Sequence, residues 1–247
     1  MPASTWQLSL FGGIELRGPD AAAAKRVLVQ PKHVALLAYL LAGDSAGERQ
    51  RFRRRDHLVA LFWPELDQPH ARASLRRVVH ALRAALGAEA LLSRGDEELA
   101  PGEGVLECDV AAFVTAIRAG QLARALELYA GELMPGFHLS GCGEFERWLE
   151  DRRMALRQEA AAAAWALAQR FEAEKNPTLA EGWARRAFVM AWDDERVLRR
   201  ALEMLDRVGN RAGALRLFDE FAQRLRAEFD AAPSPETLAV VARMRSG

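Results

Sequence analysis

The spacing of apolar residues changes character near Asp109, and that change constrains the fold more than any single motif. From Asp109 onward, apolar positions recur at i, i+3, i+4 and i+7, the pattern of amphipathic helices. The expected helices are 111–119, 122–130, 145–174, 179–192, 195–208, 212–229 and 235–244. Before Asp109, short alternating runs, helical runs and glycine turns succeed one another. Two stretches of unlike period read as two domains, 1–108 and 109–247. A chain of 247 residues suits that division at roughly 100–200 residues per domain.

The second stretch carries an internal repeat. Gly120 to Tyr129 (GQLARALELY) resembles Gly209 to Phe218 (GNRAGALRLF), with glycine, Ala-Leu, a further Leu and an aromatic in register. A looser copy begins near Leu179, where Ala180, Trp183 and Ala187 match Ala214, Leu217 and Phe221 at an offset of 34 residues. That is the tetratricopeptide (TPR) period. Small residues let paired helices approach, and aromatics fill the gaps between pairs. Trp148, Trp165, Trp183 and Trp192 read as packing between helices rather than a ligand cage.

In the first stretch, Trp6–Phe11 (WQLSLF) alternates with period 2, Gly12-Gly13 is a turn, and Ile14–Leu16 continues as a second strand. Val27–Val29 reads as a third strand. Pro31 opens a helix with Val34, Leu37, Ala38 and Leu41 on one side. Gly43–Gln50 is a polar break. Asp56 is the expected cap of a second helix, with Leu58, Leu61 and Phe62 apolar and Pro64 beyond its end. A third helix runs from near Pro69 to Leu86, and Gly87 stops it. Leu91–Ser93, the turn Arg94–Glu97 and Glu98-Leu99 form a hairpin. Strands, three helices and a hairpin, in that order, are the layout of a winged helix-turn-helix. The fold class expected is therefore mainly α, with a small antiparallel sheet in the first domain and an all-α TPR-like second domain.

Basic and acidic residues balance, 34 against 34, which excludes a uniformly cationic coat for nucleic acid. The balance is not local. Residues 49–87 hold nine arginines against three acids, a net of about +6 (His neutral). Within that window the segment 71–87 (ARASLRRVVHALRAALG) places Leu75, Val78, Val79, Leu82 and Leu86 within about 60° of one line at 100° per residue. The remaining surface is basic or small, with Arg72, Ala73, Arg76, Arg77, His80 and Arg83. Such a helix fits the DNA major groove, where arginine pairs bidentately with guanine or clamps phosphate. A solvated arginine-rich face is the competing reading. Arg53, Arg54 and Arg55, in the run Arg51–Arg55, read as a flexible basic loop able to touch phosphates.

Catalytic patterns are absent from the sequence: there is no GxxxxGK[ST], GxSxG, HExxH or EF-hand loop. The five histidines are scattered, and no CxxC accompanies the two cysteines, Cys108 and Cys142. No enzyme activity, metal or cofactor is expected. No apolar run is long enough for a membrane helix, and Met1–Leu10 lacks a signal-peptide pattern. The cytoplasm is the expected compartment.

Taken together, these segments resemble the Streptomyces antibiotic regulatory protein (SARP) type of bacterial transcriptional activator. That type joins an OmpR/PhoB-like winged helix to a bacterial transcriptional activator domain (BTAD). The resemblance rests on residues 8–18 (LSLFGGIELRG), 32–42 (KHVALLAYLLA), 57–67 (HLVALFWPELD) and 71–87. It continues with 109–113 (DVAAF), 125–137 (ALELYAGELMPGF), 145–159 (FERWLEDRRMALRQE), 209–221 (GNRAGALRLFDEF) and 233–237 (PSPET). It implies sequence-specific binding of double-stranded DNA, often as a homodimer on direct repeats, and contact with RNA polymerase. By position in the family's recognition helix, Arg72, Arg76, Arg77, His80 and Arg83 are the implied DNA-facing residues. The acidic hairpin tip (Asp96, Glu97, Glu98) departs from the family pattern and argues against minor-groove contacts there. The chain as given carries no nucleotide-binding extension, so ATP-driven switching is not expected. A TPR-like adaptor whose winged helix does not bind DNA is the alternative reading.

Overall fold

The computed structural model of the chain describes residues 5–43 and 52–246. Its contacts divide it into two compact units: 1–115 with 128–154, and 116–127 with 155–247.

In the first unit, β1 (Trp6–Ser9) buries Trp6 and Leu8 and exposes Gln7, as strict alternation requires. It pairs antiparallel with β2 (Glu15–Arg17), Leu8 opposite Leu16. On its other side it pairs parallel with a strand the sequence did not signal, Leu106–Cys108. Trp6 packs so tightly over Gly18 that a Cβ there would come within 2.1 Å of its ring.

The strand expected at Val27–Val29 is instead the end of a helix, α1 (Ala21–Leu28), with Val29 at its C-cap. The Asp20 carboxylate accepts hydrogen bonds from the amides of Ala22 and Ala23. The alanine run that follows supplies helix propensity that outweighs two valines. Among the described residues, a helix thus precedes the three foreseen. α2 (Pro31–Ala42) opens at Pro31 as expected, with Val34 through Leu40 all buried. A helix apolar on every side is a core helix.

β3 (Arg53–Arg54) pairs with the second strand of the hairpin, Arg53 opposite Leu99 and Arg54 opposite Glu98. These two arginines therefore sit in a sheet, not in the flexible loop expected; backbone pairing fixes them. Arg49 and Arg51, and the break from Asp44 to Gln50, lie outside the described residues. α3 spans Arg55–Phe62 with Arg54 at its N-cap. Asp56 does not cap it as expected: it lies in the first turn and its carboxylate is taken by Arg72. α4 (Gln68–Leu86) starts at the cap Asp67 and ends at Gly87, whose φ of +108° is disfavoured for other residues. β4 (Leu91–Arg94) and β5 (Glu98–Pro101) form the expected hairpin. The Leu106–Cys108 strand is β6.

Residues beyond 108 complete this unit's core. α5 (Asp109–Arg118) begins with a carboxylate that accepts from the amides of Leu10, Phe11 and Val110. α7 (Gly143–Ala173) contributes its first turns. There the buried Arg152 donates to the carbonyl of Ala42 at 2.6 Å, and the Trp148 ring lies 4.8 Å from that of Tyr39. Arg153 holds the carbonyls of Leu133 and Met134.

The second unit holds α6 (Leu122–Leu128) through Glu127, the rest of α7, α8 (Pro177–Met190), α9 (Glu195–Arg207), α10 (Arg211–Phe229) and α11 (Pro235–Ser246). α9 packs against both α8 and α10, and α11 closes on α9. The core is small residues interleaved with larger ones, including Ala180, Ala184, Ala201 and Ala214 beside Phe188, Phe218 and Phe221.

The repeat has a physical basis at the helix ends. Gly120 and Gly209 both adopt positive φ. In each copy the amide after the glycine bonds back five residues: Gln121 to Ala116, and Asn210 to Leu205. The glycine amides themselves donate to Ile117 and Asp206, and this pair of hydrogen bonds closes a helix C-terminus by the Schellman pattern. The third copy obeys the same geometry at the offset of 34 residues read from the sequence. Asn176 bonds back to Phe171, and Lys175 takes the left-handed position at φ +57°. Asn176 and Asn210 then cap α8 and α10 by accepting from Leu179 and Gly213.

Candidate nucleic-acid interface

α4 is fixed on three sides. Its buried stripe is Ala71, Ser74, Leu75, Val79, Leu82 and Leu86, while Val78 is half-buried. At the N-terminus, Asp67 accepts from the His70 amide and holds its ring Nδ1 at 2.6 Å. At the C-terminus, the buried Trp6 indole donates to the carbonyl of Leu86 at 3.0 Å. A helix anchored at both ends presents its outer face at a defined angle, which base reading requires.

Arg72, Arg76, Arg77 and His80 are exposed on that outer face, and Ala73 and Ala81 are half-exposed between them. The small side chains leave the backbone open to close approach. Arg76 and His80 form no hydrogen bond or ion pair among the described residues. Arg77 donates to the Ser74 hydroxyl at 2.9 Å, which orients its guanidinium without neutralising it. Arg72 is different: its Nε and Nη2 both bond Asp56 Oδ1, at 2.9 and 2.7 Å. That contact holds the Asp56 carboxyl below its ordinary range and raises Arg72 above its own.

Arg83 turns away from the outer face. Its Nε and Nη2 reach the Leu91 carbonyl at 3.0 and 2.8 Å, and Nη2 reaches Ser93 Oγ at 2.9 Å. Arg55 approaches the same hydroxyl from the start of α3, Nη2 to Ser93 Oγ at 2.9 Å. The Arg55 amide also donates to the Glu97 carbonyl at 2.8 Å. Thus two guanidiniums tie α3, α4 and the hairpin together at Ser93. Burial, and then the neighbouring Arg83, push the Arg55 guanidinium below the ordinary arginine value. Arg53 lies over the Tyr39 ring, 5.7 Å from its centroid, and Arg54 is exposed.

Sequence reasoning missed Ser93 and Asp56 as organisers of these arginines. Neither belongs to a motif, and each acts on a partner far along the chain. The hairpin tip carries exposed Asp96 and Glu97, while Glu98 pairs with Arg94 at 3.2 Å. Among the described residues no group of three or more His, Cys, Asp or Glu is placed to hold a metal ion. Among them, too, no helix is long and apolar enough to cross a membrane.

Residues 109–245 match the family described as the bacterial transcriptional activator domain. The chain belongs to this family. Its members are transcriptional regulators, not enzymes. The fold is similar to that of Mycobacterium tuberculosis EmbR, solved in complex with a low affinity phosphopeptide, with a TM-score of 0.59 and 19% identity. The superposition covers 98% of this chain and 65% of that one. At this identity the likeness is one of fold: small sheets with helices, then an all-helical region. No match was found among curated proteins.

Proposed function

We propose that this regulator is a sequence-specific DNA-binding activator in which α4 enters the major groove. One observation carries the reading: the outer face of a helix anchored at both ends bears Arg76, Arg77 and His80, with no carboxylate between them. Arg76 and Arg77 take base edges or phosphates, and His80 lies one turn on. Ala73 lets the backbone approach. Arg72, held by Asp56, reaches phosphate only by exchanging one anion for another. Arg54, exposed in β3, reaches the backbone beside the groove, while Arg53 lies over Tyr39. Arg83 positions the hairpin against α4 rather than contacting DNA, and Arg55 ties α3 to the hairpin through Ser93. Residues 1–108 form the DNA-contacting part and 109–247 the part that dimerises on direct repeats and meets RNA polymerase in the cytoplasm.

The test is a salt series of binding to the promoter upstream of the chain's own operon, together with selection of bound duplexes from a random pool. Affinity that falls linearly in log–log form with salt, and a selected repeat, are expected. The double variant Arg76→Glu, Arg77→Glu abolishes binding and leaves helical content intact. Retained affinity in that variant would place the interface elsewhere. The adaptor reading draws on the exposed acids Asp96 and Glu97. It predicts recovery of protein partners from nuclease-treated lysate with no footprint on DNA.

A further inference from the structure

A small cavity of about 220 Å³ lies between α4 and the tip of the hairpin, lined by Arg55, Arg72, Leu75, Arg76 and Asp96. At roughly 30 Å³ of liquid per water, it has room for one phosphate group with some hydration. Its charges do not balance. Arg72 is occupied by Asp56, but Arg55 and Arg76 have no ion pair among the described residues. Arg55 Nη2 has only the neutral hydroxyl of Ser93, and its Nε is buried with no hydrogen-bond partner. A buried donor left unpaired on a charged group is costly, and like charges gathered in a half-buried place add repulsion. The repulsion is relieved when an anion with several acceptor oxygens enters. Among the described residues, Asp96 is the one carboxylate lining the cavity. It attracts Arg55 through space but forms no ion pair with it. Gly95, at φ +56°, makes the turn that puts Asp96 there.

We propose that this cavity seats one phosphodiester of the DNA, and that Asp96 competes with that phosphate for Arg55 and Arg76. The wing acid is thereby a built-in attenuator of DNA binding. This rests on the DNA-binding reading of α4. It explains why an acid is tolerated at the tip of a hairpin beside a basic helix: the acid offsets the arginine cluster when DNA is absent. On binding, the phosphate supplies acceptors for the Arg55 and Arg76 guanidiniums, and Asp96 is pushed toward solvent.

The experiment uses the full chain and a duplex selected by the wild type. Asp96→Asn is expected to tighten binding about 3- to 10-fold at low salt. It should leave the log–log salt slope unchanged, because the wild type already neutralises that phosphate, whereas Arg76→Gln should lower its magnitude by about 0.9. In an Arg76→Gln background the same substitution should change affinity less than about 2-fold. Glu103→Gln, an exposed acid outside the cavity, should have no effect. Asp96→Ser gives the same direction should the asparagine alter the turn. Failure of wild type and both Asp96 variants to bind any duplex at low salt removes the DNA reading itself. Wild-type binding with unchanged affinity in both variants overturns the phosphate seat alone. So does equal tightening in the Arg76→Gln background, which would mark a general charge effect.

Discussion

Asp109 is where the activator-domain residues grip the first strand, and its replacement by alanine has a calculable consequence. Oδ1 and Oδ2 accept from the Leu10 amide at 3.0 and 2.9 Å, Oδ2 accepts from Phe11 at 3.0 Å, and Oδ1 accepts from Val110 at 2.8 Å. Leu10 is 0% exposed and Phe11 4%, so water is a poor substitute. Asp109→Ala leaves two interior amides without acceptors. At about 1–3 kcal/mol for each unsatisfied group, plus the first-turn amide, the expected loss is about 3–5 kcal/mol. That is a large share of the roughly 5–15 kcal/mol typical of a domain. Asp109→Asn keeps one acceptor oxygen and should lose about half as much. Urea unfolding of the full chain measures the change in midpoint, and amide exchange at Leu10 and Phe11 reports the site itself. A loss below about 1 kcal/mol, with exchange at both amides unchanged, would refute the assignment of Asp109 as the carboxylate that holds the end of β1.

The remaining predictions concern the same framework. Arg83→Ala removes three bonds to the hairpin. On the DNA-binding proposal it should weaken binding by a few-fold with an unchanged salt slope; a slope reduced by about one unit would instead mark Arg83 as a phosphate contact. A fragment ending at Cys108 loses Asp109, Phe113, Phe145 and Arg152 from the first unit's core. It should melt without cooperativity in a calorimetric scan, and a sharp transition close to that of the full chain would contradict this. Lys175→Gly relieves a left-handed residue at φ +57°. It should stabilise the chain by up to about 1 kcal/mol by chemical denaturation, because the turn geometry costs glycine little.

Elements whose determinants are local and periodic were legible in the sequence. The stripe of Leu75, Val79, Leu82 and Leu86 located α4 and its buried side, and the offset of 34 residues recurs in the paired caps Asn176 and Asn210. Elements decided at a distance were not. Leu106–Cys108 is three residues long, and only β1, about 100 positions earlier, makes it a strand. Val27–Val29 looked extended because two β-branched residues weighed more than the cap Asp20 and the alanines before them. In the candidate site, helical angles placed Arg72, Arg76, Arg77 and His80 on the surface. They did not tell that Arg83 reaches under the hairpin, since that depends on where Leu91 and Ser93 lie. Spacing within a helix gives the direction of Cβ; a long guanidinium then goes to whatever acceptor the tertiary fold supplies.

The same distinction changes what the arginine-rich window means. Nine arginines in residues 49–87 suggest a broad phosphate clamp if counted by sequence alone. Two, Arg49 and Arg51, lie outside the described residues. Of the other seven, Arg72 is paired with Asp56, Arg83 is spent on the hairpin, Arg55 reaches Ser93, and Arg53 lies over Tyr39. Arg54, Arg76 and Arg77 are left pointing outward with their charge uncompensated, Arg77 held only by a hydroxyl. On the DNA reading, the described residues of one protomer should neutralise about two to four phosphates, not nine. The log–log salt slope they contribute is then about −2 to −4 rather than about −8. Most of the basic charge is scaffolding that carries the hairpin and α3 on α4. A chain of zero net charge can therefore read DNA through a few oriented cations, with discrimination drawn from base contacts rather than from bulk attraction.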